Sequence, residues 1–144
     1  MSVQVYIAAS LVWKRAAAAW AEALRATGVE TCSSWHDDDN VVDDDSLDEA
    51  GRQSAIRRIT ADVSRADCLV VLAHLGEPRA TFVEAGMAIA MGKPCVFVHL
   101  GPVGRQVFDS HPRSIRVDIG ERGRESARPH VALLHDAVRE AVLL

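Results

Sequence analysis

No apolar run in this chain approaches the ~20 residues needed to span a bilayer, so no membrane partner is expected. Its start, Met1-Ser2-Val3-Gln4, lacks the basic residues and cleavage site of a signal peptide. Cysteine is scarce. Cys32, Cys68 and Cys95 sit in apolar or strand-like segments without metal-ligand spacing, which reads as three reduced core thiols in a cytoplasmic protein. The net charge of −4 argues against a nucleic-acid partner. Motifs are missing as well: no Gly-x-Gly-x-x-Gly follows the first strand-like run, and there is no P-loop lysine. A Gly-x-Ser-x-Gly elbow and a His-Glu-x-x-His metal pair are also absent, which removes many enzyme classes.

What is present is ordinary for a globular protein: 144 residues, 49% hydrophobic and 25% charged. Without linkers, repeats or low-complexity blocks, one domain over residues 1–144 is expected. Val3 to Ala8 is a short β-rich run. Ser10 sits where a helix over Leu11 to Thr27 needs an N-cap, and Gly28 where it needs a stop. Glu30 to Ser34 reads as a second strand, and the acidic stretch His36 to Asp45 as a loop. Ser46 and Glu49 form a capping box for a helix to about Ala66. Cys68 to Ala73 is continuously apolar, as in a strand covered on both faces. A helix from Thr81, strands over Cys95 to Leu100 and Ser114 to Ile119, and an amphipathic helix over 130–144 complete the chain. The alternation predicts an α/β fold: a single doubly wound parallel sheet in a flavodoxin-like, Rossmann-like three-layer sandwich. Ligands bind such sheets at the carboxyl ends of the strands. Here that edge collects Ala8-Ala9-Ser10, Trp35 with the acidic loop, Ala73 to Thr81 with Glu84, and Leu100 to Phe108.

The most informative stretch is Thr81 to Pro94, T-F-V-E-A-G-M-A-I-A-M-G-K-P. It sets Glu84 on the first turn of a small-residue helix that ends at Gly92. A helix start favours the ionised carboxylate, and an ionised glutamate is a nucleophile for an electrophilic carbon. Thr81-x-x-Glu84 is equally a capping box, so both readings stand. Gly86 and Ala88 read as small residues that let the helix lie close to the sheet. Asp62 and Asp67 precede the third strand. Eight of the 20 acids fall between Asp37 and Glu49; the rest of the chain has 12 acids against 16 bases, a balance of +4 that admits an anionic small molecule. The acidic stretch lacks EF-hand spacing and reads as a solvated loop or a lid.

Tyr6-Ile7-Ala8-Ala9, Ala66-Asp67-Cys68-Leu69-Val70-Val71 and the Thr81 to Pro94 block together resemble the nucleoside 2-deoxyribosyltransferase-like family, which includes deoxynucleoside 5′-monophosphate N-glycosidases. Gly28-Val29-Glu30 through Ser34-Trp35 and Gly101-Pro102 to Val107-Phe108 extend the resemblance to about three quarters of the chain. It implies that Glu84 attacks C1′ of a deoxyriboside to form a glycosyl-enzyme ester. It implies no metal or organic cofactor, a nucleoside or nucleotide as small-molecule partner, and a homo-oligomer. The family acid that protonates the leaving base usually stands eight residues before the Ala-Asp aspartate, where this chain has Ile59; Asp62 is the nearest acid and the candidate acid/base. Ala9 and Ala80 replace two family glycines.

Six further residues are candidates for substrate binding. Tyr6 and Trp35 can stack a base or fill the core. Ser10 can donate to a sugar or phosphate or serve as a cap; Ala8 and Thr81 lie at the same edge; Arg79 suits a 5′-phosphate or is a turn residue. His36, beside Trp35, reads as a surface histidine or a proton donor. A non-catalytic nucleotide-sensing module, and an adaptor whose acidic loop binds a basic partner, are the alternatives.

Overall fold

The computed structural model describes residues 2–41, 44–73, 79–101 and 110–144; the side chains of Asp44, Arg79 and Ala80 are not described. Expected edge segments at 74–78 and 102–109 therefore lie outside the described residues. Five strands form one sheet: β1 (Gln4–Ala8), β2 (Glu30–Thr31), β3 (Cys68–Ala73), β4 (Cys95–His99) and β5 (Ser114–Asp118). Their order is β2-β1-β3-β4-β5, and every pairing is parallel. The helices are α1 (Lys14–Arg25), α2 (Glu49–Arg65), α3 (Arg79–Ala90), the short α4 (Arg122–Glu125) and α5 (Val131–Val142). α1 packs with α5 and α2 with α3, giving helix, sheet, helix. This is the expected flavodoxin-like sandwich. No helix among the described residues is long and apolar enough to cross a membrane.

The central strands are buried throughout: all six residues of β3 and all five of β4. Trp20 of α1 anchors the opposite layer, its indole N–H donating to the Gly123 carbonyl at 3.0 Å. A Cβ at Gly123 would lie 2.7 Å from the Ile119 and Leu100 side chains, so only glycine admits that approach. Gly92 ends α3 in a Schellman turn: its φ is 74°, its N–H reaches the Ile89 carbonyl at 3.0 Å, and the Lys93 N–H reaches Ala88 at 2.8 Å.

Several local expectations are corrected. α2 is capped by Asp48, whose carboxylate accepts from the Gly51 N–H at 2.7 Å; Ser46 belongs to the 3-10 turn Asp44–Ser46 before it. Ser10 precedes a 3-10 turn, Leu11–Trp13, and its side chain makes no capping bond. The second strand is two residues long because side chains take over its ladder. Ser33 Oγ accepts from the Ile7 N–H at 3.0 Å, and the Trp35 indole N–H donates to the Ile7 carbonyl at 2.8 Å. Both Ile7 backbone groups on that side are satisfied without a strand.

Candidate active site

The chain leaves β1 outward to β2 and returns to β3, so the sheet's switch point lies between β1 and β3. On the α2/α3 side of that point is a cavity of about 270 Å³. The end of β1 supplies Tyr6 and Ala9, the following turn Leu11, and the segment after β2 supplies Trp35, Asp38, Asn40 and Val41. Gly51, Ser54, Ala55, Arg58 and Ile59 form the α2 wall, a single stripe at helical spacing. Glu84 of α3 completes it.

Glu84 is 8% exposed, and its Oε1 accepts from the Tyr6 hydroxyl at 2.8 Å. The described part of α3 already begins at Arg79, so Thr81 is inside the helix and cannot cap it. Glu84 points to β1 instead, and the capping-box reading fails. Desolvation is the first cause acting on the carboxyl and pushes it up to about 7; the Tyr6 hydrogen bond opposes that shift. The expectation that a helix start favours the ionised carboxylate gives way here, because burial is the larger influence on this group. The Tyr6 phenol is shifted upward, chiefly by burial and then by the Glu84 charge, so it stays a donor.

Trp35 lines the cavity while its N–H is committed to Ile7. Behind it lies a polar relay that sequence reasoning missed. His36 is 3% exposed, not a surface residue, and its Nε2 stands 2.9 Å from Ser33 Oγ. Ser33 Oγ also accepts from the Ile7 N–H, so this hydroxyl joins the imidazole ring to the β1 backbone. Nδ1 faces Asp37 Oδ2 at 3.3 Å without hydrogen-bond alignment. Asp37 in turn pairs with Arg25 at 2.7 Å. Burial lowers the His36 pKa, against the pull of Asp37. Asp38 accepts from the Asn40 N–H at 2.9 Å and stands 3.8 Å from Arg58. This part of the acidic segment is therefore cavity wall.

Other candidates are placed differently. Asp62 is buried and its charge acts on Tyr6, yet its carboxylate pairs with Arg65 and it is not among the residues lining the cavity. Asp67 accepts from the Gln4 N–H at 2.9 Å at the opposite end of β1. Ala8 is buried and Ser10 half-buried, and neither lines the cavity. Thr81 is buried, and its hydroxyl finds no partner among the described residues. The Arg79 side chain lies outside the described residues. Ala85 and Ala88 are the fully buried small residues of α3, whereas a Cβ at Gly86 would meet nothing within 4 Å; Gly86 is not small for the sake of the sheet.

The geometry thus places a glutamate nearly removed from water, held by a tyrosine, at the switch point of a parallel sheet. The family model for nucleoside 2-deoxyribosyltransferase matches residues 5–111. The chain belongs to the nucleoside 2-deoxyribosyltransferase family. The fold agrees. The CMP N-glycosidase BcmB of Clostridium botulinum superposes with a TM-score of 0.59 at 18% identity, over 90% of this chain and 98% of that one. A conserved protein from Enterococcus faecalis V583 does so with a TM-score of 0.58 at 17% identity, over 97% of this chain and 99% of that one. No curated protein sequence matches the chain. Family membership supports cleavage or transfer of a glycosidic bond on a nucleoside or nucleotide. The arginine and small residues of α2 were the part of the site that sequence reasoning passed over. Their i, i+3, i+4 repeat was visible, but Gly51, Ser54 and Arg58 look like any solvated helix face.

Proposed function

We propose that this protein cleaves or transfers the N-glycosidic bond of a 2′-deoxynucleoside or its 5′-monophosphate, with Glu84 as nucleophile. The observation carrying this reading is the Tyr6–Glu84 pair, 2.8 Å apart, on the wall of the switch-point cavity. One Glu84 oxygen accepts from Tyr6, which leaves the other for C1′. A nearby anion stabilises the oxocarbenium-like transition state, and the burial of Glu84 strengthens that interaction. Water or a second base then resolves the ester. Trp35 and Tyr6 present aromatic surface to the base. Asp62 contributes field at the pair, and Ala8, Ser10 and Thr81 shape the strand end and helix start around it. Arg79 is the candidate 5′-phosphate contact. Self-association is part of this proposal; Val83, 61% exposed on α3, and Ile56, 50% exposed on α2, are apolar side chains available to it.

The test is base release or exchange from a panel of deoxynucleosides and their monophosphates, with and without free base. Turnover is expected in the wild type and lost in Glu84→Gln. Turnover that survives Glu84→Gln removes Glu84 as nucleophile. One observation favours a second reading: Ile59, which stands where the family's acid usually does, faces the cavity. A nucleotide-sensing module would bind panel members without turning any over, and calorimetry would separate the two.

A further inference from the structure

Ile59 lines the cavity where the family resemblance implies a proton donor, and the carboxylates near the cavity are engaged elsewhere. Glu84 is the nucleophile, Asp62 is paired with Arg65, and Asp38 faces the guanidinium of Arg58. Arg58, one residue from Ile59, is the only cation among the described residues lining the cavity. Its positive charge opposes the upward shift of the Tyr6 phenol, so the guanidinium lies within electrostatic reach of the Tyr6–Glu84 pair. At 3.8 Å, Asp38 Oδ2 attracts Arg58 Nη1 through charge but stands beyond hydrogen-bond range of it. Asp38 is itself held by the Asn40 N–H. The geometry therefore presents a cationic fork of donors on the α2 wall, oriented toward Asp38 by charge and not tied down by a hydrogen bond to it.

Resting on the glycosidic reading above, we propose that Arg58 stabilises the leaving base as an anion, replacing proton donation by charge stabilisation, and thereby selects pyrimidines bearing a 2-oxo group. A Glu84 carboxylate oxygen bonds to C1′ as the C1′–N1 bond breaks. The electron pair passes to N1 and is shared with the adjacent O2, which accepts from Arg58. The departing anion takes a proton from water. A second water then adds its hydroxyl to C1′ and releases Glu84, its proton neutralising the hydroxide left by the first. The sum is nucleoside plus water giving free base plus deoxyribose. A purine bonded through N9 has no carbonyl beside the leaving nitrogen and needs a proton from an acid, which this cavity lacks among its described residues.

The experiment compares wild type, Glu84→Gln, Arg58→Ala and Arg58→Lys on deoxyuridine, 5-fluorodeoxyuridine and deoxyadenosine, each also as the 5′-monophosphate. Pyrimidines are expected to turn over and the purine not. Removing one preorganised donor costs on the order of 10²–10³ in kcat, and Arg58→Ala should lose about that much on deoxyuridine. The loss should be smaller on the fluorinated substrate, whose base leaves more readily, and added guanidinium should restore part of it. Wild-type kcat/KM should rise with the ionisation of Glu84 to a plateau, without the alkaline fall a general acid would impose. Glu84-dependent turnover with unchanged kcat in Arg58→Ala, or with deoxyadenosine cleaved as fast as deoxyuridine, overturns this inference alone. Turnover of no substrate by the wild type, or undiminished turnover in Glu84→Gln, overturns the glycosidic reading beneath it.

Discussion

Glu84→Gln replaces a buried carboxyl with an isosteric amide that keeps an oxygen facing the Tyr6 hydroxyl. In the unfolded chain the carboxyl titrates at its ordinary 4.5; folding pushes it up to about 7. The folded protein therefore holds a proton between those values that the unfolded chain has already released. A raised acid makes stability fall as pH rises through that window, and the full cost of burying the charge is felt only above about 7. A shift of that size corresponds to about 3 kcal/mol. Glutamine never ionises, so any contribution from its NH2 is the same at every pH. The difference between the variant and wild type cancels all other titrating groups and isolates Glu84. Urea unfolding at pH 5 and pH 9 should show the variant gaining on wild type by roughly 2 to 3 kcal/mol between the two conditions. A difference that stays constant with pH would refute the placement of this carboxyl out of water.

Tyr6→Phe removes the one interaction that lowers the Glu84 pKa; the midpoint of a kcat/KM profile that depends on ionised Glu84 should move upward and turnover should fall, as steady-state assays across pH would show. Ser33→Ala orphans the buried Ile7 N–H and the His36 Nε2 together; an unsatisfied buried group costs about 1–3 kcal/mol, which denaturant unfolding would register, with loss of fixed Trp35 fluorescence as the neighbouring indole loosens. Gly86→Ala places a methyl in open space within α3 and should raise stability by about 1 kcal/mol in thermal or chemical unfolding. A loss of turnover in that stabilised variant would assign Gly86 to substrate approach or to a subunit contact.

Much of the architecture was legible along the chain because covered strands and amphipathic helices write their environment into local pattern. Cys68 to Ala73 is apolar at every position, and only a strand between two helical layers buries all six. Glycines past α1 and α3 took up the positive φ expected of them, Gly28 at 92° and Gly92 at 74°. Shorter-range chemistry was less readable: Ser46 and Asp48 both suit an N-cap, and the choice depends on where the preceding turn delivers the chain.

The site divides along the same line. Periodicity and motif spacing marked Glu84 and located it at the carboxyl edge of a parallel sheet, since both follow from residues close together in the chain. Whether it capped its helix or faced a cavity depended on Tyr6, 78 residues away, and on a burial that no local pattern encodes. The α2 stripe from Gly51 to Ile59 carries little local signal for the same reason. A helix face that lines a cavity buries little of itself, so small, polar and charged residues occupy it just as they would occupy a face in water. Packing α2 beside β1 and α3 is what turned that face into a wall and brought Arg58 to the same cavity as Glu84.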